Sequence, residues 1–208
     1  MLHLQTVAPD TLELLKELSL KSELQGMRLV GGTALALQYG HRQSVDLDFF
    51  GTPTASQDET ITMLSTMGDM RVYNRTSKIL QVVLCGVKVD VVDYTPYSWI
   101  DDPVRDNGLV LASPKDIAAM KINAIEGRGT RKDFVDVYTL LQHYFLSELL
   151  TFYSRKYPNF SIFRALLSLT YFDDAEQQAM PVMFDPTPWE AMKSHIIEAT
   201  RKYQTDNK

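Results

Sequence analysis

The sequence predicts a mixed α/β (or α+β) core over residues 1–110 and a helical part over residues 111–208 packed on it. Three observations predict this. Helix-like and strand-like hydrophobic periods alternate between residues 9 and 94, as in a layered sheet-and-helix domain. After about residue 110 the strand signals give way to capped helical patterns. No low-complexity linker or internal repeat interrupts the chain, so the two parts are expected to pack as one unit.

The elements follow in order. "PDTLELLKELSLKSEL" (9–24) reads as an amphipathic helix, with Leu14, Leu15 and Leu18 at helical spacing and Glu13, Lys16 and Glu17 between them. "MRLV" (27–30) is a short strand broken by Gly31-Gly32, and "TALALQY" (33–39) a short helix closed by Gly40. "VDLDFF" (45–50) alternates as a strand does. "SQDETITMLSTMG" (56–68) is a helix ending at Gly68, and residues 70–94 read as two or three strands with a turn at Cys85-Gly86. In "SPKDIAAMKINAIEG" (113–127), Ser113 is the N-cap, Pro114 the first helical residue, and Asp116 completes a capping box. "TRKDFVDVYTLLQHYF" (130–145) repeats the device with Thr130 and Asp133, and the segments "LSELLTFYSRKY", "IFRALLSLTYF" and "PWEAMKSHIIEATRKY" are mostly helical.

Composition narrows the class of protein. Hydrophobic residues at 45% and charged residues at 23% suit a soluble globular chain. There is no run of 18 apolar residues to span a membrane, and the first residues lack the basic-then-apolar order of a signal peptide. Cys85 is the single cysteine, so no intrachain disulfide forms, and a cytoplasmic location is expected. The net charge of −5 lies in one half: residues 1–108 hold 9 Lys and Arg against 14 Asp and Glu, and residues 109–208 hold 12 of each. Such a chain is a poor general binder of nucleic acid, although a local basic patch can still serve one.

The deficit draws attention to Asp46 and Asp48. In a strand over 45–50, Val45, Leu47 and Phe49 share the core face and the two aspartates share the other, with Cα atoms roughly 7 Å apart. Paired carboxylates repel unless a cation lies between them, and Mg²⁺ favours one or two carboxylates together with substrate phosphates. Taken alone, the pair also reads as two solvated acids on a half-exposed strand. Gly31-Gly32 sits upstream at a strand-to-helix turn, where bare N–H groups and the helix dipole attract anions, and Thr33 adds a hydroxyl. By itself Gly-Gly reads equally as a tight turn needing positive φ. An anion cradle, a short helix and then a carboxylate pair is the order of parts needed to hold a nucleoside triphosphate by its phosphates and its metal. Arg42, in the loop before the aspartates, is a further candidate for phosphate contact.

Gly31-Gly32-Thr33 followed by Asp46-Leu47-Asp48 resembles the signature of the DNA polymerase β-like nucleotidyltransferase superfamily. The fuller stretch "GGTALAL…HRQSVDLDFF" closely resembles the AbiEii-type nucleotidyltransferase family of bacterial toxin and abortive-infection proteins, and a weaker likeness runs through "SPKDIAAMKINAI…RGTRKDFVDVY". The resemblance implies a nucleotidyltransferase-fold mixed sheet with flanking helices over 1–110. It implies a third carboxylate on a neighbouring strand, for which "VKVDVVDY" offers Asp90 mid-strand and Asp93 near the strand end; Asp90 is preferred, although it also reads as a surface acid balancing Lys88. It implies a functional lysine, matched by Lys121, which interrupts the apolar stripe of Ile117, Ala124 and Ile125 and otherwise reads as snorkelling to solvent. The family's "RD…D" segment corresponds to Lys132-Asp133…Asp136, with lysine in place of arginine. Asp133 also reads as the capping partner of Thr130, whereas Asp136 has no capping duty. The stretch 113–132, with Lys115, Lys121, Arg128, Arg131 and Lys132 against Asp116 and Glu126, is either a phosphate- or RNA-facing wall or a polar interhelix turn.

No rival chemistry is signalled: the four histidines lack metal-ligand spacing, and neither GxxxxGK[ST] nor GxGxxG occurs. The resemblance implies an enzyme that moves a nucleoside monophosphate from an NTP to tRNA or protein, using Mg²⁺ (or Mn²⁺) on Asp46, Asp48 and Asp90. It also implies a role as a bacterial toxin with a cognate antitoxin. Two alternatives stay open, a non-catalytic binding module on the same fold and a metal-dependent phosphohydrolase.

Overall fold

The computed structural model describes residues 1–207. They form two compact units, Met1–Ser98 with Asp102–Ala112, and Trp99–Asp101 with Ser113 onward. The first is mixed α/β: α1 (Pro9–Ser19), β1 (Met27–Leu29), α2 (Gly31–Tyr39), β2 (Leu47–Gly51), α3 (Gln57–Ser65), β3 (Met70–Arg75), β4 (Ile79–Leu84), β5 (Val87–Asp93), β6 (Val104–Asp106) and β7 (Leu109–Leu111). The strands make one sheet in the order β3-β4-β5-β2-β1-β7-β6. β2 runs parallel to β5 and β1 parallel to β7; the other pairs are antiparallel.

Period-two burial separates the two faces of this sheet. Leu29, Leu47, Phe49, Leu80, Val82, Val89 and Val91 are buried, and the register of β1, β2, β4 and β5 lines them up on one face. α2 packs on β2 and α1 on β7. α1 buries Leu14, Leu15 and Leu18, α3 buries Met63 and Leu64, and α2 buries five consecutive residues, Thr33 to Leu37. Each such Leu removed from water contributes about 1.5–3 kcal/mol. The other face carries Arg28, Asp48, Phe50, Gln81, Asp90 and Val92, all half-buried.

The structure departs from the expected element boundaries: the first helix ends at Ser19 rather than at residue 24. The helix after β1 begins at Gly31 rather than Thr33, so both glycines lie in its first turn. The strand begins at Leu47, and Val45 is 60% exposed rather than in the core. Ser44 pairs with Val7 in an isolated bridge, so the chain is still turning when it passes Val45. Alternation sorts residues into faces only inside a continuous ladder. Residues 70–94 form three strands, with Cys85 (φ 51°) and Gly86 (φ 81°) making the last turn.

The second unit is helical: α4 (Pro114–Gly127), α5 (Arg131–Leu141), α6 (Leu146–Lys156), α7 (Ile162–Leu169), α8 (Asp173–Glu176) and α9 (Trp189–Asp206). α4 packs against α5, α6 and α7, and α9 against α5, α6 and α7. Phe134, Phe172 and Trp189 form an aromatic cluster, with Phe134 and Phe172 rings 4.8 Å apart. Ser113 caps α4 by accepting from Asp116 N (3.1 Å). The Asp116 carboxylate does not close the expected capping box on the Ser113 amide: it accepts from the Ser113 hydroxyl (2.6 Å), Ile100 N (2.9 Å) and Lys156 Nζ (2.7 Å). It thereby ties residues 99–101 to α4 and α6. Among the described residues no helix is long and apolar enough to cross a membrane.

Candidate functional site

The site in the first unit is built on the junction between β1 and α2. Gly31 has φ +70°, a left-handed conformation that side chains strain to adopt, and a Cβ there would strike Asp48 Oδ2. A Cβ on Gly32 would strike Arg42 Nη2. The two glycines therefore let a carboxylate and a guanidinium close on the first turn of one helix. Arg42 is buried (3% exposed), and its Nη1 donates to Gln43 O at 2.9 Å.

Thr33 is also buried, and its hydroxyl, expected to face phosphate, turns inward. It donates to the Asp46 carbonyl and lies 2.9 Å from Ser44 Oγ. Thr33 thus pins the loop that delivers Asp46. Asp46 lies just before β2 and Asp48 within it, both half-buried. The Val30 amide donates to Asp48 O (2.8 Å), which locks the start of α2 to β2.

On the neighbouring parallel strand, Asp90 is the register partner of Asp48, so the two side chains leave the sheet on the same face. Both Asp90 oxygens accept hydrogen bonds, Oδ1 from the Tyr73 hydroxyl (3.1 Å) and Oδ2 from Gln81 Nε2 (2.5 Å). Lys88 stands two residues before Asp90 with its ammonium 5.6 Å from the centre of the Tyr73 ring. The hydrogen bond to Tyr73 raises the Lys88 pKa; burial opposes this, and the carboxylates of Asp90 and Asp46 add to it. Burial likewise raises the Tyr73 pKa, Lys88 opposes, and the Asp90 charge reinforces the rise. Asp93 is the last residue of β5, within the strand and not in the loop beyond it, and accepts from Thr95 N (3.0 Å).

Among the described residues no three His, Cys, Asp or Glu side chains are gathered into a metal cage of their own. Mg²⁺ asks for less, because it keeps waters and takes one or two protein carboxylates plus substrate phosphates. Asp48 and Asp90 in register on one face, with Asp46 at the entrance to β2, fit that requirement.

Lys121, Asp133 and Asp136 come together in the second unit. Lys121 does not snorkel: it is 4% exposed, with Nζ 3.0 Å from Asp133 Oδ1 and 2.5 Å from Asp136 Oδ2. Asp133 also accepts from Arg128 Nε (2.9 Å) and Thr130 Oγ1 (2.5 Å); the Thr130 hydroxyl makes no side-chain cap bond to α5, so the expected capping device gives way to an ion network centred on Asp133. Burial pushes its carboxyl up, but the Lys121 and Arg128 charges prevail and hold it well below the usual carboxylate range. The rest of the expected cationic wall is engaged as well. Lys115 pairs with Asp101 (2.8 Å), and Arg131 donates to Ala175 O (2.9 Å) and stacks over Trp189.

Ser44, Tyr73 and Gln81 are not marked by the sequence, and Lys88 is marked there only as the charge balancing Asp90. Lys88 was open to recognition, since it alternates with Asp90 on one face. Tyr73 and Gln81 join the site only through strand pairing, which leaves no local signal.

A family model described as a nucleotidyl transferase AbiEii toxin of a type IV toxin–antitoxin system matches residues 13–207. An uncharacterized protein of Aquifex aeolicus (strain VF5), aq_aa25, is 34% identical over 182 residues, covering 84% of this chain and 86% of that one. Two solved structures share the fold. JHP933 from Helicobacter pylori has a TM-score of 0.56 at 17% identity, covering 97% of this chain and 96% of that one. MenT4, the nucleotidyltransferase toxin Rv2826c of Mycobacterium tuberculosis H37Rv, has a TM-score of 0.57 at 13% identity, covering 89% and 78%.

Proposed function

The chain belongs to the AbiEii nucleotidyltransferase toxin family, and from that premise we propose that it transfers a nucleoside monophosphate from an NTP to a hydroxyl of tRNA or protein. The observation that carries this reading is the register pairing of Asp48 with Asp90, with the Asp48 carboxylate set against Gly31 at the start of α2.

In this reading Asp46, Asp48 and Asp90 hold Mg²⁺, with Mn²⁺ as a substitute. Bound there, the metal would lower the pKa of the acceptor hydroxyl and neutralise the departing pyrophosphate. The chain supplies the frame. Thr33 holds the backbone at Asp46, Gly31 and Gly32 open the first turn of α2, and Arg42 and Lys88 place positive charge beside the carboxylates. In the transfer the acceptor oxygen bonds to the α-phosphorus as the bond to pyrophosphate breaks, and the hydroxyl loses its proton. The family description, a toxin of a type IV toxin–antitoxin system, supports a cognate antitoxin; the acceptor is proposed to be cytoplasmic.

Incubation with each labelled NTP, Mg²⁺ and total tRNA tests the proposal. Label in RNA or in protein supports transfer. Release of phosphate without labelling indicates hydrolysis, and no turnover indicates a binding module. Asp46→Asn is expected to abolish labelling without unfolding the protein; full labelling by that variant would sink the assignment of the site.

A further inference from the structure

The pairing of β3 with β4 slips by one residue next to the carboxylates. Val72 pairs with Val82 and Asn74 with Gln81, which leaves Tyr73 as the extra residue of a bulge. In an unbroken strand Tyr73 and Asn74 would project from opposite faces. Here both serve the face that carries Asp90. The Tyr73 hydroxyl donates to Asp90 Oδ1 (3.1 Å), and Asn74 Nδ2 donates to Gln81 Oε1 (2.8 Å). That second bond decides the orientation of the Gln81 amide. With Oε1 engaged by Asn74, Nε2 is presented to Asp90 Oδ2 at 2.5 Å. Bulges beside functional sites commonly re-aim side chains in this manner.

We infer that Tyr73 and Gln81, aimed by the bulge in β3, are positioning residues that orient the Asp90 carboxylate for a divalent cation. The inference rests on the reading of Asp90 as a metal-holding residue. Each Asp90 oxygen takes one donor and keeps a lone pair for a cation. Outer partners of this kind fix a ligand's direction before the metal arrives, and their loss typically lowers metal affinity or activity by about 10–100-fold. The Lys88 ammonium over the Tyr73 ring holds that ring toward Asp90. A polar ladder that merely stitched β3 to the sheet would make the same bonds but would not affect metal affinity.

The test is Mn²⁺ binding to the full chain, followed by electron paramagnetic resonance, in wild type, Tyr73→Phe, Gln81→Met and Asp90→Asn, with thermal midpoints alongside. Tyr73→Phe removes one hydroxyl at a partly exposed position, so it carries the test even if Gln81→Met does not fold. The expected result is Mn²⁺ affinity weaker by about 10–100-fold in Tyr73→Phe and Gln81→Met, with midpoints close to wild type. Wild-type affinity in both, with affinity reduced in Asp90→Asn, overturns the positioning role and leaves the proposed site standing. Wild-type affinity in Asp90→Asn removes Asp90 from the metal site and overturns both.

Discussion

Asp48 and Asp90 face each other across a parallel strand pair, residue to residue, with backbones about 4.8 Å apart. β2 and β5 are separated in sequence by a helix and two other strands, yet the ladder gives their two carboxylates a common direction. Without a cation between them the charges would repel. The adjacent glycine turn and the flanking Arg42 and Lys88 are the features on which the proposed metal and nucleotide site rests.

Gly31 combines a left-handed backbone with the close approach of the Asp48 carboxylate. Gly31→Ala is expected to cost about 1–2 kcal/mol from the left-handed backbone and to push the Asp48 carboxylate aside. Denaturant unfolding combined with a transfer assay checks this: activity should fall much further than stability. An alanine variant with wild-type activity would show that the close approach of Asp48 is incidental.

Lys121 neutralises two buried carboxylates. Lys121→Met leaves Asp133 and Asp136 without that charge, and a loss of roughly 3–5 kcal/mol is expected. A double-mutant cycle with Asp136→Asn should show a coupling well above 0.5 kcal/mol, since contacting charges are not additive. Additive losses would mean that the pair is not formed in solution.

The same network predicts an acid limb. The folded pKa of Asp133 is depressed, so its contribution to stability is fully present above the unfolded carboxyl pKa near 4 and is lost as pH falls toward the folded value. Unfolding free energy measured from pH 7 to pH 2 should decline below about pH 4, and the decline should be shallower in Asp133→Asn. Equal slopes in the two proteins would contradict the assignment.

How much of this was legible in the sequence depends on the range of the interactions. The glycine turn and the Asp-Leu-Asp run are local, and the structure brings Gly31 and Asp48 into contact. The direction of Asp48 followed from strand alternation, but the same rule misplaced Val45, because an isolated bridge at Ser44 precedes the ladder. Tyr73 and Gln81 depend on a register slip between distant strands, which no local period reports. Lys121 stood out as a charge in an apolar stripe, whereas its partnership with Asp133 and Asp136 requires the packing of α4 on α5.

The carboxylate row is proposed to support transfer of the α-phosphoryl group. The most direct measurement is a paired incubation with NTP labelled at the α- or the γ-phosphorus, in Mg²⁺ with total tRNA, comparing wild type with Asp48→Asn. Wild type is expected to place α-label in the acceptor and to release γ-label as pyrophosphate. Asp48→Asn should be reduced beyond the ~100-fold typical of losing an outer partner. Release of γ-label as phosphate with no α-label in any acceptor, or undiminished labelling by Asp48→Asn, would contradict it.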